Sequence, residues 1–208
     1  MARIHRATLR PTKLELLTAW LPAQAWAAGA GAVEQVGAYR FDDPAGEVGL
    51  EAHLVECADG TVLHVPLTYR GAPLDGAEDA LVGTMEHSVL GRRWVYDGCA
   101  DPVWVAALAR TVLSGTPQAE ELVEDGDALV PREPTARVTG TGLEADPDLP
   151  EDGPLTPSDR GPATVVRAGD LELVVVRQVG TGAIGEHVLT GTWTTGGPAT
   201  LAAVRPAS

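Results

Sequence analysis

The apolar positions near the start of the chain predict an amphipathic helix. Thr12 and Glu15 have the spacing of a capping box, in which each side chain satisfies a backbone N–H of the first turn. Pro22 ends this helix, and a second short turn is expected over residues 23–28. The apolar residues of the helix share one face, with Trp20 beside them: Leu14, Leu17 and Leu21.

A second helix is predicted to begin at Asp101. Aspartate is a favoured N-cap, and Pro102 suits the first helical position. Gly115 is expected to end the helix. The residues at core-facing helical spacing are Trp104, Leu108 and Val112.

Strands are predicted between the two helices. Asp59-Gly60 is a two-residue hairpin signal that places Ala58 opposite Thr61. That register puts three cross-strand pairs on one face: Leu54 with Val65, Ala52 with Leu67, and Leu50 with Tyr69. Tyr39 and Phe41 are assigned to a preceding strand, and two further strands are expected over 85–90 and 94–96. A helical turn capped by Asp75 is expected between them and the hairpin.

The pattern divides the chain into three zones. Residues 1–115 form a small antiparallel α+β domain of sheet and packed helices. Residues 116–161 are acidic and rich in Pro and Gly, which predicts a mostly disordered linker. Residues 162–208 are predicted to form a β-meander with strands over 164–168, 171–179, 187–193 and 200–205.

Composition limits the partners and the compartment. The net charge is −14, and Lys13 is the only lysine, which argues against nucleic acid and anionic membrane surfaces as partners. Two cysteines do not make a disulfide framework. The chain shows no signal segment and no apolar run long enough to span a membrane. A cytoplasmic location is therefore expected.

Several short motifs then point to a known family. Trp20-Leu21-Pro22, followed by Gln24 and Trp26, resembles the opening motif of the N-terminal cap of bacterial maltokinases. The similarity continues through Val65-Pro66-Leu67 and Tyr69-Arg70 to the segment from Tyr96-Asp97 to Asp101-Pro102. It covers about residues 13–115. In this family the cap is a curved sheet with packed helices that is joined to a kinase-like lobe, and maltokinases phosphorylate maltose for α-glucan synthesis, often beside trehalose synthase.

The chain departs from the family in two ways. Ala25, Ala27 and Ala30 stand where the family usually has Arg, Phe and Lys, so that two positive charges are lost. The residues after Gly115 include no lysine and neither a His-Arg-Asp-type catalytic loop nor an Asp-Phe-Gly-like metal motif. No kinase activity is expected of the chain, and neither a cofactor nor a metal is assigned to it.

Two motifs have competing interpretations. The GxGxxG run over 180–185 lies between strands and is interpreted as a flexible hairpin loop, with a degenerate phosphate loop as the alternative. His53, Cys57 and His64 share one hairpin face in the register above, so that a zinc site with Glu51 or His87 is the alternative to scattered polar residues. His87-Ser88 is not expected to form a hydrolase site because adjacent strand residues point to opposite faces.

Three functional hypotheses remain open. The first is a non-catalytic cap-like accessory protein of maltose, trehalose or α-glucan metabolism, whose partner is a sugar kinase, a glucan enzyme or a second copy of the chain. The second is a carbohydrate or small-ligand module that uses the concave sheet face through Trp26, Tyr69 and Trp94. The third is a degenerate sugar-kinase-related enzyme. The candidate contact residues for a ligand or partner are Trp26, Tyr69, Arg70, Trp94, Tyr96 and Asp97.

Overall fold

The computed structural model describes residues 2–4, 7–27, 29–125, 128–145, 147, 149 and 155–207. Two six-stranded antiparallel sheets make up most of it. The N-terminal sheet contains β2 (Leu9–Arg10), β3 (Val33–Phe41), β4 (Gly49–Cys57), β5 (Val62–Arg70), β6 (Leu81–His87) and β7 (Gly91–Asp97). The C-terminal sheet contains β10 (Ala136–Gly140), β11 (Thr156–Arg160), β12 (Ala163–Ala168), β13 (Leu171–Val176), β14 (His187–Trp193) and β15 (Gly196–Pro206).

Two helices and a small sheet complete the described part of the chain. Helix α1 covers Lys13–Trp20, and α2 covers Pro102–Ser114. Four single 3₁₀ turns lie at Leu21–Ala23, Ala25–Ala27, Glu78–Ala80 and Gly98–Ala100. The small sheet joins β1 (Ala2–Ile4) in parallel to β8 (Glu121–Asp125), which pairs with β9 (Ala128–Arg132). None of the described helices is long and apolar enough to cross a membrane.

The two large sheets repeat the same strand path. The strand order is β2-β6-β7-β5-β4-β3 in the N-terminal sheet and β10-β14-β15-β13-β12-β11 in the C-terminal sheet. In each, the first strand lies at one edge, the next three form a meander from the other edge, and a final hairpin fills the space between. The sequence pattern gave no sign of this repetition, because the corresponding strands differ in length and spacing.

Helix α2 lies between the sheets and supplies the main core. Its buried side chains pack on one face of β3 and β4 and on the inner face of the C-terminal sheet. Gly140 and Gly142 allow the chain to run against the end of this helix, because a Cβ at either would lie 1.9 Å from a helix carbonyl oxygen. The close approach caps the last turn, since Gly142 N–H donates to Val112 O at 2.9 Å.

The opposite face of the N-terminal sheet is covered by α1 and the 3₁₀ turns that follow it. The core on this side joins Leu17, Leu21 and Trp26 to residues of β5 such as Val65 and Leu67. Both faces of the sheet are therefore buried by the chain's own elements. The face opposite α1 is covered by α2 and the C-terminal sheet.

The signals at the helix ends are confirmed. The capping box of Thr12 and Glu15 is present, and the Asp101 carboxylate accepts from Val103 N–H at 3.0 Å. Gly115 ends α2 in the left-handed conformation with φ 66°. The proportions differ from the α+β expectation, because strands make up 49% of the described residues and helices 17%. The fold is thus mostly β, with curled antiparallel sheets.

The predicted hairpin register is wrong by one residue. Cys57, not Ala58, pairs with Thr61 around a three-residue loop with Gly60 at φ 84°. A single-residue shift moves every side chain of one strand relative to its partner's face. Leu50, Ala52 and Leu54 consequently lie opposite Thr68, Pro66 and His64.

The other boundary predictions have mixed outcomes. In the described part of 116–161 the disordered linker is corrected, because β8, β9, β10 and β11 lie there; Asp127, Asp146, Asp148 and residues 150–154 fall outside the described residues. The helical turn expected after Asp75 is instead a 3₁₀ turn at Glu78–Ala80. The 180–185 loop is not a hairpin, because β13 and β14 both flank β15 and the loop crosses between them.

Candidate binding site

A cavity of about 480 Å³ opens at the end of the N-terminal sheet where β3 passes into β4. The start of α1, the 42–48 loop and the β6–β7 hairpin form its walls. The loop wall is ordered by Asp43, whose carboxylate accepts backbone N–H bonds from Ala45, Glu47 and Val48 at 2.8–3.0 Å. The polar side chains that line the cavity are Lys13, Arg40, Asp42, Asp43, Glu47, Tyr69, His87 and Arg93.

One carboxylate holds two of the cations in the cavity wall. Glu51, buried on β4, pairs with Lys13 Nζ and accepts from Arg40 Nη2 at 2.9 Å. Burial alone would raise the pKa of Glu51, but Arg40 and Lys13 outweigh it and hold that pKa well below its ordinary value. Glu51 is therefore a fixed anion.

Lys13 occupies an unusual position for a lysine. The capping box starts α1 at this residue, so that its side chain is directed into the cavity wall rather than into solvent. Nζ lies 5.2 Å from the centroid of the Tyr69 ring, within the range of a cation–π interaction. Burial lowers the pKa of Lys13, and the charge of Glu51 opposes that shift.

A neutral histidine connects Tyr69 to the sheet. His53 Nδ1 lies 3.0 Å from Gln35 Oε1, and Nε2 lies 3.0 Å from Tyr69 Oη. Because the amide oxygen only accepts, Nδ1 donates to Gln35 and Nε2 accepts from the Tyr69 hydroxyl. Burial lowers the pKa of His53 to about 4 despite the nearby Glu51, so the ring orients Tyr69 without adding charge.

The β6–β7 hairpin supplies the remaining donors. Arg93 Nη2 donates to Leu90 O at 2.6 Å, while Nε has no hydrogen-bond partner among the described residues. His87 Nδ1 accepts from Val89 and Leu90 N–H at 3.2 and 3.0 Å. The cavity thus has paired charges on one wall and the Arg93 guanidinium, whose Nε is buried, on another.

Only one of the six predicted contact residues lies in this cavity. Tyr69 lines it. The prediction of Trp26 as a contact residue is wrong, because its side chain is buried in the core below α1 and only 1% exposed. Arg70 is held by two bonds to Asp101 at 2.6 and 2.7 Å. Tyr96 is buried, and its hydroxyl accepts from Leu74 N–H.

The other two residues lie on different surfaces. Trp94 is half-buried opposite Arg70 in the β5–β7 pair and stacks with Arg92, whose Cζ is 5.3 Å from the ring centroid. Asp97 pairs with the buried Arg177 between the two sheets. The sequence reasoning missed Lys13 and Arg40 and offered Glu51 only as a metal ligand. A carboxylate within an apolar strand and a lone lysine were the available signals.

The alternative zinc site is overturned. With the corrected register, His53 faces α1, whereas His64 lies on the opposite face, where its ring contacts Tyr39 and Val176. No group of three or more His, Cys, Asp or Glu side chains suited to a metal occurs among the described residues.

Comparison with known families decides what the N-terminal sheet is. Residues 20–101 match the family model of the maltokinase N-terminal cap domain. This segment is a maltokinase N-terminal cap-like domain. It begins at the last residue of α1 and ends at the N-cap of α2, and it therefore includes β3 to β7. No curated protein sequence matches the chain.

The cap-like domain should lose stability on mild acidification. His64 Nδ1 donates to Val176 O, its Nε2 accepts from Tyr39, and burial lowers its pKa to about 3. Unfolded histidines take up protons below pH ~6.5, whereas His53 and His64 stay neutral in the folded chain until much lower pH, so stability falls as pH drops through that window. We expect a loss of about 2 kcal/mol between pH 6.5 and 5.5 in urea unfolding.

A His64→Gln variant provides the control. Glutamine keeps a donor and an acceptor but does not titrate, and the slope of unfolding free energy against pH should fall to about half in this interval. Equal slopes for the two proteins would show that the buried histidine does not cause the acid sensitivity.

Proposed function

We propose that the chain is a non-catalytic, cap-like accessory protein that associates with an enzyme of maltose, trehalose or α-glucan metabolism. The observation that carries the proposal is the cap-like domain at residues 20–101, packed on a second sheet of the same chain. One face of the cap-like sheet is buried by this second sheet, which contains no lysine to serve a phosphate site. A binding role fits this arrangement better than phosphoryl transfer.

The contact surface that we assign is the Trp94 strip, defined as Arg70, Arg92 and Trp94. These residues lie on one face of neighbouring strands β5 and β7, and each is at least partly exposed. Tryptophan and arginine are the residues most enriched at the centres of protein interfaces. Arg70 and Trp94 also belong to neither of the two main hydrophobic cores, so they can be replaced without removing core packing.

The proposal predicts partner binding that depends on Trp94. Purified maltokinase, trehalose synthase and glucan branching enzyme would each be titrated against the immobilised chain. One of them should bind, and Trp94→Ala should weaken that binding by about 30-fold, corresponding to roughly 2 kcal/mol. Ile184→Ala is the matched control, since Ile184 is 85% exposed and lies in the β13–β14 loop.

Two results would contradict the accessory role. One is formation of a sugar phosphate by the chain alone with ATP and maltose. The other is the absence of binding to all three enzymes by a chain whose circular dichroism shows it to be folded.

A small-ligand module is a second candidate because of the cavity. Tyr69, one of its predicted contacts, lines the cavity, whereas the concave face that the hypothesis invoked is filled by the chain itself. Any ligand site would therefore be at the end of the sheet rather than on its face.

A further inference from the structure

Lys13 combines three features that are seldom found together. It is the only lysine of the chain, its amine lines a cavity of about 480 Å³, and it is held between a fixed carboxylate and an aromatic face. Lysine side chains are ordinarily solvated and carry their charge in water. Here the Lys13 side chain is only 24% exposed and lines the cavity.

We propose that Lys13 is a covalent carbonyl-binding residue, whose amine forms an imine with a small hydroxyaldehyde that enters the cavity. Its surroundings stabilise the product as well as the starting amine. A protonated imine keeps the positive charge on Nζ, so that the ion pair with Glu51 and the contact with the Tyr69 ring are both retained. The lowered pKa of Lys13 supports the step, because only the unprotonated amine is a nucleophile.

The chemistry balances without an oxidant or a cofactor. The ammonium of Lys13 first releases a proton to water in the cavity. The free Nζ lone pair then attacks the aldehyde carbon, and one proton of Nζ moves to the carbonyl oxygen to give a neutral carbinolamine. Loss of that hydroxyl as water, with return of one proton, leaves the protonated imine. The sum is one ammonium and one aldehyde giving one iminium and one water.

The charges of the wall favour a neutral, hydroxylated aldehyde. Lys13 and Arg40 are already paired with Glu51, and the Asp43 carboxylate is satisfied by three backbone N–H groups. The other two carboxylates of the wall, Asp42 and Glu47, are exposed and disfavour an anionic ligand. The Arg93 guanidinium lines the same cavity and carries N–H groups that can donate to a hydroxyl. Glycolaldehyde is the smallest aldehyde of this class and serves as the probe.

Reductive trapping tests the proposal at a single site. The full chain is incubated with glycolaldehyde and cyanoborohydride at neutral pH, and modified residues are located by peptide mass spectrometry. An Arg110→Lys variant adds one reference lysine on the exposed side of α2. We expect Lys13 to be modified about tenfold faster than Lys at 110, because the cavity holds the aldehyde beside the amine.

The controls separate the site from general amine reactivity. In urea the two lysines should react at equal rates. Lys13→Arg should remove the adduct at residue 13 in a chain shown to be folded. Equal rates in the folded Arg110→Lys protein, or an excess at Lys13 that persists in urea, would overturn the proposal. A chain without any glucan-enzyme partner can still form this imine, so the labelling and binding experiments fail independently.

Discussion

Truncation of Trp104 to alanine is expected to lower the free energy of unfolding by about 3–5 kcal/mol. Trp104 is fully buried on α2 and belongs to the core that both large sheets share. Its ring packs so closely against the turn at Gly98 that a Cβ there would lie 2.9 Å from it. Neither the turn nor the helix can collapse easily into the space, so most of the cavity should remain.

Urea unfolding followed by far-ultraviolet circular dichroism measures this loss. Because α2 contributes to the packing of both sheets, they should unfold in one transition in the wild-type chain. Trp94→Ala is the matched control, and we expect it to cost about 1 kcal/mol since that side chain is only half-buried. A cost below 1 kcal/mol for Trp104→Ala, or separate transitions for the sheets, would contradict the shared core.

The ends of the helices could be predicted because their determinants are local. The capping box of Thr12 and Glu15, the Asp101-Pro102 start and the glycine at 115 each act within a few residues. The same holds for β14, whose bounds of His187–Trp193 follow from the apolar pattern. These features do not depend on what the rest of the chain does.

The register of β4 and β5 could not be predicted, because both faces of the sheet are buried. In a strand with one solvent-exposed face, polar and apolar residues alternate, and this alternation identifies the register. β4, in contrast, is buried almost throughout its length. The predicted register therefore depended on the turn signal alone, and Asp59-Gly60 also suits the three-residue loop that forms. The strands within 116–161 were missed because short strands in acidic, proline-rich sequence have no strong apolar pattern, and three of the four, β9, β10 and β11, lie at sheet edges.

The cavity could not be predicted from the sequence, for a different reason. Its key pair joins Lys13 to Glu51, which are 38 positions apart and belong to different elements. Tyr69 was identified only through the family resemblance, and its role at the cavity follows from the bond to His53. Pairings of this kind depend on which strand faces which helix, and hence on the register that local signals did not determine.

Neutralising Asp97 should weaken the packing of the two large sheets against each other and lower the free energy of unfolding. Arg177 follows β13, is fully buried between the sheets, and pairs with Asp97 at the end of β7. Its Nε donates to Thr164 at 2.8 Å, and its Cζ lies 4.5 Å from the Trp26 ring centroid. We expect Asp97→Asn to cost about 3 kcal/mol, because it leaves a buried charge without its counter-ion.

The Asp97→Asn substitution removes the charge and keeps the shape of the turn. Its side-chain oxygen can still accept from Cys99 N–H, as the Asp97 carboxylate does at 3.0 Å. Glu133→Gln is the matched surface control, since the Glu133 and Arg137 side chains are 88% and 65% exposed and that pair should contribute under about 1 kcal/mol.

The Asp97 and Arg177 pair should also show strong coupling in a double-mutant cycle. Arg177→Met keeps an apolar stem against Trp26 and removes the charge that Asp97 neutralises, so adding Asp97→Asn to it should cost little more than Arg177→Met alone. A coupling energy of about 2 kcal/mol or more in urea unfolding is expected. Additive costs would mean that the sheets are joined by apolar packing around α2 and by the backbone bonds of residues 177–179 to β5, and that the buried ion pair adds no specificity to their docking.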